Sequence, residues 1–193
     1  IMGVGYYKPL AQWSKGEYAD ANNVQDDYAV MQGNGLPLRI DDHGNTSGTA
    51  TMLTGAASGG LSTTSTVGTI ERPTDIDVFA FSAAAGTATF TVSPAARSAN
   101  LDALVGLRNA AGTLLASSNP VDALNASVSV NLQAAGTYYL SVQGTGKGDP
   151  LTTGYSAYGS LGQYAVSGSF VTPGSQAPSA VISASTLRGT APL

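Results

Sequence analysis

The feature that most constrains this chain is a period-two alternation that begins near residue 46 and lasts to about residue 171. It shows in residues 77–82 (DVFAFS), 86–93 (GTATFTVS), 125–132 (NASVSVNL), 137–143 (TYYLSVQ) and 163–170 (QYAVSGSF). Successive side chains of a strand point to opposite faces, so alternation marks a strand with one buried and one wet face. Turn residues punctuate the runs, as at Ala111-Gly112, Asn119-Pro120 and Ala135-Gly136. Eight or nine short strands at this spacing predict an antiparallel β-sandwich.

Composition bounds the partners. Charged residues make up 10% of the 193, against about a quarter in ordinary domains, and Gly, Ala, Ser and Thr take their place. The net charge is −4 and no basic stripe occurs, which argues against nucleic acid. No apolar run approaches the ~20 residues that span a bilayer. With no cysteine there is no disulfide framework. Stability outside a cell then has to come from the core, or from a metal such as calcium.

Flanking the alternating region are two stretches of other character. Residues 1–40 mix aromatic, amide and charged groups. Within them Val24, Tyr28 and Met31 fall at helical spacing, which predicts a short helix over 24–32 with Asn23 as N-cap and Gly33 as its stop. Residues 172–179 (TPGSQAPS) read as a linker. The expected division is therefore 1–40, 41–171 for the sandwich, and 172–193.

Chemistry is sparse. One histidine, His43, and no cysteine leave no zinc-peptidase ligand set, and no HExxH occurs. There is no GxSxG elbow for serine chemistry, and no acid pair is placed across a cleft. The strongest candidates are oxygen-rich. Asp41, Asp42 and Asn45 sit in a turn-like stretch, and Asp75 and Asp77 open a strand. Calcium takes six to eight oxygen ligands, which two such segments meeting at a sandwich edge could supply. As simple turn residues the same groups need no metal. His43 is expected in a solvated loop, and Glu17 without a visible partner. Tyr155, Tyr158 and Tyr164 cluster with glycines in a long loop and form a candidate stacking surface for polysaccharide or fibrous protein. The other reading sends Tyr164 into the core and leaves Tyr155 and Tyr158 on the loop.

Several stretches carry a family resemblance. DIDVFAFSAAAGTATFTV (75–92), LDALVGLRNAAGTLLASSNP (101–120), AAGTYYLSVQGTGKGDP (134–150) and the glycine- and tyrosine-rich 151–168 resemble, in order and spacing, a bacterial pre-peptidase C-terminal domain. DDHGNTSGTATML (41–53) looks like that family's entry into its first strand. The resemblance implies a jelly-roll-type sandwich appended to a secreted peptidase, non-catalytic, and serving secretion, folding or substrate attachment. It also implies calcium near the entry linker, as in related collagen-binding domains.

The opening, IMGVGYYKPLAQWSKGEY (1–18), resembles the Met-turn region of metzincin-type zinc peptidases, with Met2 as the Met-turn residue. That implies a C-terminal piece of a larger secreted bacterial enzyme, with zinc in an upstream peptidase domain. Residues 1–40 would then be the short helical remnant of that domain. AVISASTLRGTAPL (180–193) resembles the first strand of a polycystic-kidney-disease-type repeat. The apolar opening residues, Leu10 and Trp13 among them, are expected to dock on the sandwich or on a second copy of the chain.

Overall fold

The computed structural model describes residues 9–10 and 13–174. Met2, the apolar start and the repeat-like tail lie outside them. Among the described residues one helix, α1 (Asp27–Gly33), precedes ten strands. These are β1 (Thr51–Met52), β2 (Ala56–Ser58), β3 (Leu61–Ile70), β4 (Ile76–Ala83), β5 (Gly86–Pro94), β6 (Ala103–Asn109), β7 (Leu114–Ser118), β8 (Ala126–Leu132), β9 (Gly136–Gly144) and β10 (Gly162–Val171). A single 3-10 turn, Ala157–Gly159, interrupts the long loop before β10.

The strands form two five-stranded sheets, ordered β1-β4-β9-β6-β7 and β2-β3-β10-β5-β8. The protein is mainly β, as the alternation predicts. Every strand pair is antiparallel except β1 with β4, which run parallel at Thr51–Phe79 and Met52–Ala80. All five alternating runs become strands, and β4 is buried on both faces from Asp77 to Phe81.

Between the sheets lies one core. Phe79 and Phe81 from β4 meet Ala88, Phe90 and Val92 from β5, Val105 and Leu107 from β6, Leu140 and Val142 from β9, and Val166 and Phe170 from β10. Phe81 sits at its centre, with ring centroids 4.8 Å from Phe90, 4.9 Å from Phe170 and 5.9 Å from Tyr138. Fully burying a side chain of this size contributes about 1.5–3 kcal/mol. Gly168 takes the inward position between Val166 and Phe170, and the Phe90 ring occupies the space where its Cβ would be.

The outer face of the second sheet shows why so few charges suffice. Cross-strand hydroxyl pairs line it, Thr89 with Ser129 at 3.1 Å and Thr91 with Ser127 at 3.0 Å. Such pairs keep a β surface polar without ions. Where β6 turns into β7, the Asn109 side chain accepts from the amides of Ala111 (3.1 Å) and Thr113 (2.9 Å), and Gly112 adopts φ +81°. Asn followed by Gly at these positions satisfies the turn locally and supplies the positive φ.

Two local expectations are corrected. The helix starts at Asp27, three residues later than expected, with Asp26 as N-cap accepting from the Ala29 amide at 2.9 Å. Asn23 instead accepts from the Gln25 amide at 2.9 Å, which closes a turn and holds Val24 outside the helix. The helix runs through Gly33 and ends at Asn34. Strand β3 carries no clear apolar alternation because its inward residues near one end are Ser62 and Thr64. Their hydroxyls bond Thr172 Oγ1 (2.9 Å) and the Thr54 carbonyl (3.1 Å), so burial does not require an apolar side chain there.

Candidate cation site and its surroundings

The linker entering the sandwich and the loop between β3 and β4 bring acids together. Asp41, from the linker, and Glu71 and Asp75, from the loop, each offer a carboxylate oxygen, and the three oxygens lie within 4.8 Å of one another. Glu71 and Asp75 are buried, and so is Asp77 two residues on, at 0% exposure. Both oxygens of Glu71, Oδ1 of Asp75 and Oδ1 of Asp77 are buried with no hydrogen-bond partner. Unpaired buried carboxylate oxygens are costly, and the three on Glu71 and Asp75 call for a proton or a cation.

Electrostatics point the same way. Burial first, then the neighbouring Asp75 carboxyl and the negative charges of Asp42 and Asp77, push the Glu71 carboxyl up to about 8. Asp75 Oδ2 accepts from the Glu71 amide at 3.0 Å. Burial likewise pushes Asp77 up to about 8, opposed by the Tyr164 hydroxyl and reinforced by Asp75, Asp42 and Asp41. The donor set is oxygen only, which suits a hard divalent cation such as calcium.

The sequence-predicted acids divide. Asp41 and Asp75 belong to the cluster. Asn45 clamps it from outside: its amide donates to Asp41 Oδ2 (3.0 Å) and its carbonyl oxygen accepts from the Ile76 amide (2.7 Å). Asp42 is more exposed; its Oδ1 accepts from the Thr69 amide at 3.4 Å. Asp77 turns into the core, where its Oδ2 accepts from Tyr164 Oη. Glu71 was missed by sequence reasoning. The signal was the spacing of ERPTDID (71–77), three acids in seven residues between two strands.

His43 corrects the expectation of a solvated loop residue. It is partly buried, with Nδ1 2.9 Å from Thr51 Oγ1, Nε2 2.9 Å from the Val67 carbonyl oxygen, and the ring 4.6 Å from that of Phe79. The imidazole joins the linker to both sheets.

The tyrosine surface is corrected too. Tyr158 and Tyr164 are buried, and neither presents a face for stacking. Tyr155 is half-buried, and its hydroxyl donates to Asp102 Oδ2 at 2.8 Å. Glu17 is also not unpaired: it accepts from Ser156 Oγ at 2.6 Å and from the Lys15 amide at 2.8 Å. These side chains meet because the 155–160 loop folds back onto the N-terminal segment, a contact between residues some 130 positions apart that local sequence does not announce.

The class that the fold defines is a two-sheet β-sandwich with an acid-lined linker junction. Residues 75–144, which span β4 through β9, match the model of the bacterial pre-peptidase C-terminal domain. Among solved structures the chain is similar to the pre-peptidase C-terminal domain of a collagenase from Bacillus anthracis, at 16% identity and a TM-score of 0.41, over 67% of this chain and 97% of that one. It is also similar to PliG, a periplasmic inhibitor of g-type lysozyme, from Aeromonas hydrophila (14% identity, TM-score 0.35, 62% of this chain and 94% of that one). A PliG mutant from Escherichia coli gives 18% identity and a TM-score of 0.38, over 62% and 97% of the two chains. No sequence among the curated proteins matches the chain.

Proposed function

We propose that this chain is a non-catalytic accessory module of a secreted bacterial zinc metallopeptidase, assisting secretion, folding or substrate attachment, with calcium bracing its linker junction. The observation that carries the reading is the pre-peptidase C-terminal match over residues 75–144. The likeness of residues 1–18 to a Met-turn region, with Met2 in the Met-turn position, supports a zinc peptidase domain upstream. No helix among the described residues is long and apolar enough to cross a membrane. A binding surface built on Tyr155, Tyr158 and Tyr164 gains no support, because two of the three rings are inside the molecule.

Asp41, Glu71 and Asp75 would hold the calcium, and Asn45 would hold Asp41 in place. With calcium bound, the mutual repulsion of these carboxylates is neutralised and the linker is tied to the β3–β4 loop.

The accessory role is tested by deleting residues 41–171 from the protein in its own host. Secreted peptidase, or its retention on insoluble substrate, should fall, while cleavage of a small soluble peptide per molecule of enzyme stays unchanged. A protein that shows no peptidase activity with or without the deletion would overturn the reading. The metal is tested separately, by thermal unfolding in millimolar calcium and in excess chelator. A ligand that binds only the folded state at 100 times its Kd stabilises by roughly 2.7 kcal/mol, so the midpoint should rise by several degrees. An unchanged midpoint would sink the calcium assignment and leave the accessory role standing.

A further inference from the structure

The division at residue 40 places α1 with whatever precedes the sandwich. The contacts argue otherwise. The Tyr28 ring lies 4.6 Å from that of Tyr158, and the Trp13 ring lies 5.7 Å from that of Tyr28, so three tilted aromatics pack in a row from the N-terminal segment onto the loop before β10. Tyr158 Oη donates to Asp26 Oδ1 at 2.7 Å and accepts from the Tyr28 amide at 3.2 Å. Tyr28 Oη returns a bond to the Tyr158 carbonyl at 3.0 Å. Asp26 is the N-cap of α1, so a sandwich tyrosine completes the capping of this helix.

Further contacts surround this centre. The Ser156 hydroxyl donates to Glu17, and Lys15 Nζ lies 5.1 Å above the Tyr158 ring. Ser14 and Asp27 lock the segment on itself: the Asp27 amide donates to the Ser14 carbonyl (3.1 Å), and the Ser14 amide donates to Asp27 Oδ2 (2.8 Å). A seven-residue helix is too short to persist in water by its own propensity, so its order comes from what it touches.

We infer that residues 13–34 are a strap belonging to the sandwich, pinned at Tyr158, and that this strap fixes the point from which any preceding part of the chain departs. The strap and the sandwich unfold as one unit, and the Tyr158 hydroxyl couples them. The inference does not rest on the proposed peptidase context or on calcium. It concerns a contact between the chain's own segments, and all its tests are run in chelator.

Trp13 is the single tryptophan and sits on the strap, so its fluorescence reports strap detachment while far-ultraviolet circular dichroism reports the sheets. In the unaltered chain the two urea transitions should coincide. In Tyr158→Phe, the Trp13 transition should move to lower urea than the sheet transition. Hydrogen exchange of the Ala29–Asn34 amides should quicken by about tenfold to a hundredfold, the loss expected for hydrogen bonds to a charged group. Amides of Val92 and Val142 in the core serve as the internal control and should keep their protection relative to global unfolding. A Trp13 transition that precedes the sheet transition in the unaltered chain would overturn the inference. So would a Tyr158→Phe variant whose helix exchange is unchanged, or whose exchange rises equally in helix and core.

Discussion

Glu71 concentrates the physical tension of this molecule in one side chain. It is buried, neither of its oxygens has a partner, and Asp41 and Asp75 converge on it. At pH 9, above the range in which Glu71 keeps its proton, replacing it with glutamine removes one charge while keeping the shape. Glu71→Gln is therefore expected to raise the thermal midpoint in chelator, by roughly 2–8 °C if it relieves about 1–2 kcal/mol of repulsion and desolvation. The same variant should lose most of the calcium-induced rise. A lower midpoint in chelator, measured by calorimetry, would mean that the carboxylate contributes a stabilising bond. At this scale the sequence was informative about residue type and silent about direction. Asp41 and Asp75 were legible as oxygen donors, because Asp and Asn clustered in two turn-like segments. Whether Asp77 points to solvent or into the core is decided by Tyr164 Oη, 87 positions away.

Strands were the most legible elements, because a half-buried strand imprints its two faces on the sequence every second residue. Where the inward residues are hydroxylic, as in β3, the imprint fades, although the backbone pairing with β10 is continuous from Leu61–Val171 to Ile70–Gly162. The helix was legible as a segment but not at its ends, since Asn23 and Asp26 are both good capping residues and the choice between them depends on Tyr158. The strands also predict where the core is least forgiving. Phe81 touches the rings of Phe90, Phe170 and Tyr138 and is fully buried. Phe81→Ala should cost about 3–5 kcal/mol, read as a drop in the urea midpoint with an unchanged slope. A cost below 1 kcal/mol would mean that β4 and β10 close over the cavity.

For the molecule as a whole, the buried acids set the dependence of stability on pH. Glu71 and Asp77 hold their protons up to about 8 in the folded chain, while in the unfolded chain they release them near the ordinary carboxylate range. Burial also raises Asp102, against the opposing effects of Tyr155 and Lys147. Between the two ranges the folded state binds more protons than the unfolded state, so stability falls as pH rises. In chelator, the urea midpoint should be higher at pH 6 than at pH 9. In calcium the difference should shrink, because protons and the cation compete for the same oxygens. A chelated protein that is more stable at pH 9 would show that these groups are ionised throughout.

The sequence by itself determined that the chain would make a sandwich, where five of its strands would lie, and that small and hydroxylic residues would stand where charges usually do. Alternation and turn residues are local properties, and local backbone geometry reads them directly. Only the tertiary structure decided which acids converge, that Tyr158 and Tyr164 lie inside, and that α1 rests on the loop before β10. Each of these is a contact between segments far apart in the chain. Such contacts follow from how two sheets stack and which loops close over their edges, and no window of neighbouring residues carries that information.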